Sequence, residues 1–130
     1  LGARVVLCGP ATLMPAAVER MGVEVTHNLR EAIDGADVIY SLRIQLERQQ
    51  DGLFPSLREY IRLFRIDTAA LAHAKADAII MHPGPINRDI ELSTSVADGT
   101  RSVILEQVSN GVAIRMAVMH LLVNSGRKGK

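Results

Sequence analysis

The sequence predicts an α/β domain, a doubly wound parallel sheet of Rossmann-like type. Three observations carry this. Apolar runs recur at residues 4–8, 23–26, 37–42 and 78–82. They are short and nearly all apolar, which is the pattern of parallel strands covered on both faces. The segments between them carry helix-start signals, so strands and helices alternate along the chain. No internal repeat or low-complexity stretch breaks that order.

The elements follow in turn. Arg4-Val5-Val6-Leu7-Cys8 is the first strand, ended by Gly9-Pro10. Pro15 suits the first turn of a short helix over 15–21, which Gly22 stops. Residues 23–26 give a second strand. Asn28 with Glu31 three residues on makes a capping-box-like start for a helix to Gly35. A third strand covers 37–42. Ser56 and Glu59 repeat the capping signature for a helix to about Phe64, and Asp67 caps a further helix to Lys75. The fourth strand is 78–82. A polar loop follows, and then Ile104, Val108, Val112, Met116, Met119 and Val123 recur at helical spacing. They predict one long amphipathic helix over 102–123 despite Gly111 in its middle, which costs about 1 kcal/mol against Ala.

Composition excludes several classes. The chain has 130 residues, 48% hydrophobic and 22% charged, which suits one soluble domain. A net charge of +1 gives no case for nucleic acid or an anionic membrane, and 3% aromatics without Trp leave no stacking platform for bases. A single cysteine, Cys8, excludes an internal disulfide and fits a reducing cytoplasm. Its place at the end of an apolar strand points to a buried, inert thiol. No segment reads as a signal peptide or a membrane span. The chain opens Leu1-Gly2-Ala3-Arg4 directly on a strand, without Met, like the middle of a longer protein.

Two strand exits carry the chemistry. Open α/β sheets bind ligands beyond the carboxyl ends of their strands. After the fourth strand runs Met81-His82-Pro83-Gly84-Pro85-Ile86-Asn87-Arg88-Asp89-Ile90. Pro83 and Pro85 have no N–H, so this stiff loop presents mainly carbonyl oxygens. Gly84 lets a ligand approach the backbone. Such a loop suits a ligand with N–H donors, such as a carbamoyl NH2, and not a bare phosphate. After the third strand runs Ser41-Leu42-Arg43-Ile44-Gln45-Leu46-Glu47-Arg48. Arg43 and Gln45 are two apart, so both point the same way in an extended segment. A guanidinium fork beside an amide suits the carboxylate of a small dicarboxylate or amino acid, although a solvated, charged helix start has the same composition. His82 stands at a strand end, where either a ligand contact or a structural loop hydrogen bond fits. His27, His73 and His120 have no metal-ligand spacing, and no metal site is expected. The turn Cys8-Gly9-Pro10-Ala11-Thr12 is not a dinucleotide glycine fingerprint.

Together these pieces resemble the aspartate carbamoyltransferase family. The matching runs are Met81 to Glu91, Leu42-Arg43-Ile44-Gln45-Leu46-Glu47-Arg48, Phe54-Pro55-Ser56-Leu57-Arg58-Glu59-Tyr60, and Gln107-Val108-Ser109-Asn110-Gly111-Val112-Ala113-Ile114-Arg115-Met116. The resemblance covers almost the whole chain. It implies that residues 1–130 are most of the carboxyl-terminal, aspartate-binding domain, truncated at its N-terminal side, with the carbamoyl-phosphate domain absent. It implies that Arg43 holds an aspartate carboxylate with Gln45 beside it, and that Glu47 and Arg48 belong to a loop closing over aspartate. The Pro83 and Gly84 carbonyls would accept from the carbamoyl NH2, Pro85 would shape the loop, and the Gly84–Pro85 bond would be cis. The implied reaction is carbamoyl transfer from carbamoyl phosphate to L-aspartate, in de novo pyrimidine biosynthesis. It needs no cofactor and is carried out by a cytoplasmic homotrimer of full-length chains, with regulatory or dihydroorotase-like subunits as further partners.

The family's Ser-Thr-Arg-Thr, His-Pro-x-x-x-Leu-x-Asp and His-Ser-Arg motifs are not in this chain. The chain would carry half an active site and be inactive alone. Ornithine carbamoyltransferase, a rival of the same fold, is disfavoured because it typically has His-Cys-Leu-Pro where this chain has His82-Pro83-Gly84-Pro85. A non-catalytic amino-acid-binding half-domain is the rival from another class. In a doubly wound order the first strand is central. A strand is therefore expected to be missing between 4–8 and 37–42, leaving a gap there and a chain that does not fold stably alone.

Overall fold

The computed structural model describes residues 2–45 and 56–125. Its elements follow the expected alternation: β1 (Val6–Cys8), β2 (Glu24–Thr26), α1 (Leu29–Ile33), β3 (Val38–Tyr40), α2 (Leu57–Phe64), α3 (Thr68–Leu71), β4 (Ile79–Met81), α4 (Thr94–Ala97) and α5 (Ile104–Ser125). The strands are all parallel, but they form two separate pairs rather than one sheet. β1 pairs with β2, Leu7 opposite Val25, and β3 pairs with β4, Ile39 opposite Ile80. No ladder joins β1 to β3. Between the two pairs lies a cavity of about 560 Å³, bordered by Val6, Leu7 and Cys8 on one side and Val38, Ile39 and Tyr40 on the other.

The caps are local and follow the sequence. Asn28 Oδ1 accepts from the Arg30 N–H at 3.0 Å. Ser56 Oγ accepts from the Glu59 N–H at 3.1 Å, and Asp67 Oδ1 from the Ala70 N–H at 3.0 Å. Each satisfies a donor that the first helical turn leaves without a partner. Gly22 (φ +78°) and Gly35 (φ +64°) end their segments in the left-handed region.

Three expectations are corrected. The helix expected over 15–21 is instead two 3₁₀ turns, Ala11–Leu13 and Val18–Met21. Ala17 sits between them at φ +59°, which no α-helix accommodates. The helix after Asp67 stops at Leu71 rather than Lys75, because His73 and Lys75 turn back to α1 and its exit: the Gly35 N–H donates to the His73 carbonyl, and the Lys75 N–H to the Ala36 carbonyl. The loop after β4 holds a further short helix, α4, capped by Ser93.

Strand coverage also differs. On β3–β4, Ile39 and Ile80 face a core shared with Ile33, Ile66, Leu71, Leu92 and Val96, but Val38, Tyr40 and Ile79 are 49%, 50% and 37% exposed. One face is covered, not two. β4 also meets the chain at Ser102, where the Ile80 N–H donates to the Arg101 carbonyl and the Val103 N–H to the Ile80 carbonyl. Ile80 thus gives both its backbone groups to the 101–103 segment while its neighbours Ile79 and Met81 bond to the β3 side, and it is itself fully buried. α5 runs unbroken through Gly111, as the periodicity predicts, but only Ile104 of it is buried. Its apolar residues are not confined to one face, since Leu105, Ile114, Leu121 and Leu122 are exposed along with Val108, Val112, Met116, Met119 and Val123. No helix among the described residues is long and apolar enough to cross a membrane.

The core assignment is testable in the full-length protein. Ile80→Val should cost about 0.5–1.5 kcal/mol and Ile80→Ala about 2–5 kcal/mol, read from denaturation midpoints. Equal costs for the two would place Ile80 outside the core.

Candidate functional site

The two strand exits singled out by sequence lie side by side in the fold. β3 and β4 are parallel neighbours, so the chain leaves both at the same edge. After β3, Ser41 and Ile44 are buried while Arg43 and Gln45 are half-buried, so Ile44 anchors the segment and its two neighbours point away from the core. Arg43 and Gln45 border the cavity between the strand pairs. Glu47 and Arg48 lie outside the described residues.

After β4 the backbone makes a tight turn. The Gly84–Pro85 bond is cis, as the resemblance implied, and Gly84 takes φ +67°. Pro83 and Pro85 are exposed and Gly84 is half-buried. Among the described residues, neither the Pro83 nor the Gly84 carbonyl accepts a hydrogen bond. The 83–85 turn does not line the cavity that Arg43 and Gln45 border. The two loops meet elsewhere: Asn87 Nδ2 donates to the Ile44 carbonyl at 2.9 Å.

His82 is fully buried and faces inward. Its Nδ1 accepts from the Gly84 N–H at 2.8 Å, which leaves the ring proton of the neutral form on Nε2. Nε2 lies 3.3 Å from Glu91 Oε1, an ion-pair distance without the alignment of a formed hydrogen bond. Glu91 is 1% exposed, and its Oε1 also accepts from the Asn87 N–H at 2.6 Å. Glu91 Oε2 is buried without a hydrogen-bond partner among the described residues. The His82 N–H donates to Gln107 Oε1 at 3.0 Å, and Gln107 Nε2 donates to the Tyr40 hydroxyl at 2.9 Å, which ties α5 to both strand ends. The loop hydrogen bond open to His82 is therefore formed, to the Gly84 N–H.

The rest of the loop is fastened from outside. Arg88 makes a two-pronged contact to Asp98 at 2.7 and 2.9 Å. Asp89, at φ +63°, accepts from both the N–H and the hydroxyl of Thr94. Those two donors hold the Asp89 carboxyl below the usual carboxylate range. Sequence reasoning gave no role to Asn87, Glu91 or Gln107, although all three lie inside the quoted motifs. A carboxylate, Glu91, closing the same short run that carries His82 was the available signal.

Burial, opposed by the Glu91 charge, pulls the His82 imidazole below its ordinary value of 6.5. Cys8 at the cavity wall is pushed up to about 11, first by burial and then by Glu31, so its thiol stays protonated at neutral pH. His27 Nδ1 donates to the Gly9 carbonyl at 2.7 Å, joining the exits of β1 and β2. No group of His, Cys, Asp and Glu among the described residues could hold a metal ion.

Residues 2–122 match the family model "Aspartate/ornithine carbamoyltransferase, Asp/Orn binding domain". The chain is 58% identical over 121 residues to the aspartate carbamoyltransferase catalytic subunit of Myxococcus xanthus, covering 93% of this chain and 41% of that protein. It is 34% identical to aspartate transcarbamoylase from Trypanosoma cruzi, solved in complex with carbamoyl phosphate, with a TM-score of 0.73 over 88% of this chain and 39% of that one. It is 29% identical to ornithine carbamoyltransferase from Pyrococcus furiosus, with a TM-score of 0.79 over 93% of this chain and 42% of that one. The chain thus spans about two fifths of the length of the relatives it matches.

A pH dependence follows from His82. Its folded-state pKa lies below the unfolded value, so the unfolded chain binds the extra proton first. The stability it contributes is fully present above about pH 6.5 and is lost as pH falls through the lower, folded value. Denaturation midpoints of the full-length protein at pH 8 and pH 5 should differ more in wild type than in His82→Asn. An equal pH dependence in the two would remove His82 as the cause.

Proposed function

The chain belongs to the aspartate/ornithine carbamoyltransferase family, as its Asp/Orn-binding domain, and on that premise we propose that the protein transfers the carbamoyl group of carbamoyl phosphate to L-aspartate. The products are N-carbamoyl-L-aspartate and phosphate, a step of pyrimidine biosynthesis. The amine of aspartate attacks the carbamoyl carbon, the C–N bond forms, the C–O bond to phosphate breaks, and the proton lost by the amine ends on the leaving phosphate. No cofactor enters that balance. Two parallel strand exits joined by Asn87 and Ile44 carry the reading, one offering a guanidinium with an amide and the other offering carbonyls that accept no hydrogen bond among the described residues.

In this reading Arg43 holds a carboxylate of aspartate through charge-assisted hydrogen bonds, with Gln45 beside it. The carbonyls of Pro83 and Gly84 receive the carbamoyl NH2, and Pro85 fixes the turn that presents them. Glu47 and Arg48 close over bound aspartate. The chain's own contribution is orientation of nucleophile and electrophile, worth several kcal/mol of the barrier in a well-aligned pair. Stabilising the charge that develops on the leaving phosphate needs cations, which the reading assigns to the rest of a full-length protein. The 130 residues alone would therefore be inactive. The reading extends to a homotrimer of full-length chains, with regulatory or dihydroorotase-like subunits as further partners, acting in the cytoplasm. A single cysteine agrees with that compartment.

The test is a steady-state assay of the full-length protein carrying this sequence, with L-aspartate and L-ornithine as alternative acceptors. Transfer to aspartate supports the reading, transfer to ornithine replaces the acceptor, and binding of aspartate without turnover leaves a binding module. Arg43→Ala should raise KM for aspartate roughly ten- to a hundred-fold, as expected for losing about 1.5–3 kcal/mol of hydrogen bonding to a charged group. Unchanged aspartate saturation in that variant would remove Arg43 from the site.

A further inference from the structure

The substrate roles above leave unused a chain of buried polar contacts inside the 82–93 loop. The Gly84 N–H donates to His82 Nδ1 at 2.8 Å. His82 Nε2 lies 3.3 Å from Glu91 Oε1, with the two side chains 0% and 1% exposed. The same Glu91 oxygen accepts from the Asn87 N–H at 2.6 Å, and Asn87 Nδ2 donates to the Ile44 carbonyl at 2.9 Å. One end of this chain is Gly84, in the carbonyl-presenting turn. The other is Ile44, the buried residue between Arg43 and Gln45.

We propose that His82, Glu91 and Asn87 act as a positioning relay that sets the spacing between the two substrate loops. The proposal rests on the reading of those loops given above. Burying a carboxylate and an imidazole is costly, and apolar side chains of similar volume would pack the same space at least as well. What these groups do that apolar ones cannot is grip backbone: Gly84 through His82, and Asn87 through Glu91. Asn87 then passes that position to Ile44 across 43 residues of sequence. Solvent does not reach the His82 and Glu91 side chains, so the centre of this chain is stiff. Stiffness here matters because misplacing a reacting group by about 1 Å can cost on the order of a hundredfold in rate. The relay touches neither substrate. Its three residues are positioning residues, not catalytic ones.

The experiment uses the full-length protein carrying this sequence. Asn87→Ala removes the grip on Ile44 while leaving the Asn87 N–H on Glu91. It should raise KM for aspartate roughly tenfold, with KM for carbamoyl phosphate within about twofold of wild type. His82→Ala removes the grip on Gly84 and should show the reverse split. His82→Asn, whose amide oxygen can still take the Gly84 N–H, should recover most of the carbamoyl phosphate KM. The double variant Asn87→Ala/His82→Ala should lose less than the product of the single losses, because the groups act as one unit. Single variants that lower kcat alike with both KM values unmoved, or a double variant that is strictly multiplicative, would overturn the relay. Hydrogen exchange of the Gly84 amide gives a readout without turnover. It should quicken in Asn87→Ala although Asn87 does not touch Gly84, and unchanged exchange would overturn the relay. A wild-type protein that fails to carbamoylate aspartate would sink the proposed function while leaving the exchange result to decide the relay.

Discussion

A single backbone donor organises the β4 exit. The N–H of Gly84 points inward, to a neutral ring nitrogen of His82, so the turn it belongs to is anchored from beneath. A buried N–H must find an acceptor, and a carbonyl from the same turn would have occupied an oxygen that accepts no hydrogen bond among the described residues. Supplying the acceptor from a side chain solves both problems at once. His82 is then buried, and Glu91 Oε1 lies 3.3 Å from its other nitrogen, at ion-pair distance but without hydrogen-bond alignment. Glu91 in turn takes the Asn87 N–H. The Gly84 and Asn87 N–H groups thereby both find side-chain acceptors, where an unpaired polar group inside the protein costs about 1–3 kcal/mol.

The strand pair β3–β4 supplies the frame for this arrangement. Parallel pairing releases both chains at one edge, and Ile80, bonded to the 101–103 segment and fully buried, fixes where the second chain starts. Gln107 extends the frame to α5 by holding the His82 N–H and the Tyr40 hydroxyl together. The outer contacts, Arg88 to Asp98 and Asp89 to Thr94, lie in solvent. Exposed ion pairs contribute little stability, so their use here is to hold the loop's outer limb while the inner contacts set its position.

What was legible in the sequence was local. Asn28, Ser56 and Asp67 announce their helices because a cap acts within three residues. The cadence from Ile104 to Val123 announces α5, and the short apolar runs announce the strands. The Pro83-Gly84-Pro85 turn was readable as a carbonyl-presenting loop because proline's missing N–H is a covalent fact. The misses have a common cause. The 15–21 segment has ordinary helix formers, but Ala17 adopts a left-handed turn that no propensity scale anticipates. Val38, Tyr40 and Ile79 read as doubly covered strand residues, yet side-chain apolarity does not tell which face another layer reaches. The Asn87–Ile44 contact spans 43 positions, and nothing in either neighbourhood names the other.

The lone cysteine stands at the wall of the cavity between the two strand pairs, and its thiol is pushed up to about 11. Since the thiolate is the reacting form, alkylating reagents at neutral pH will find almost none of it while that wall is closed. Any opening that hydrates Cys8 returns its acidity toward ordinary values and lets alkylation proceed. With no second cysteine among these 130 residues to compete, the alkylation rate reports on the surroundings of Cys8 alone.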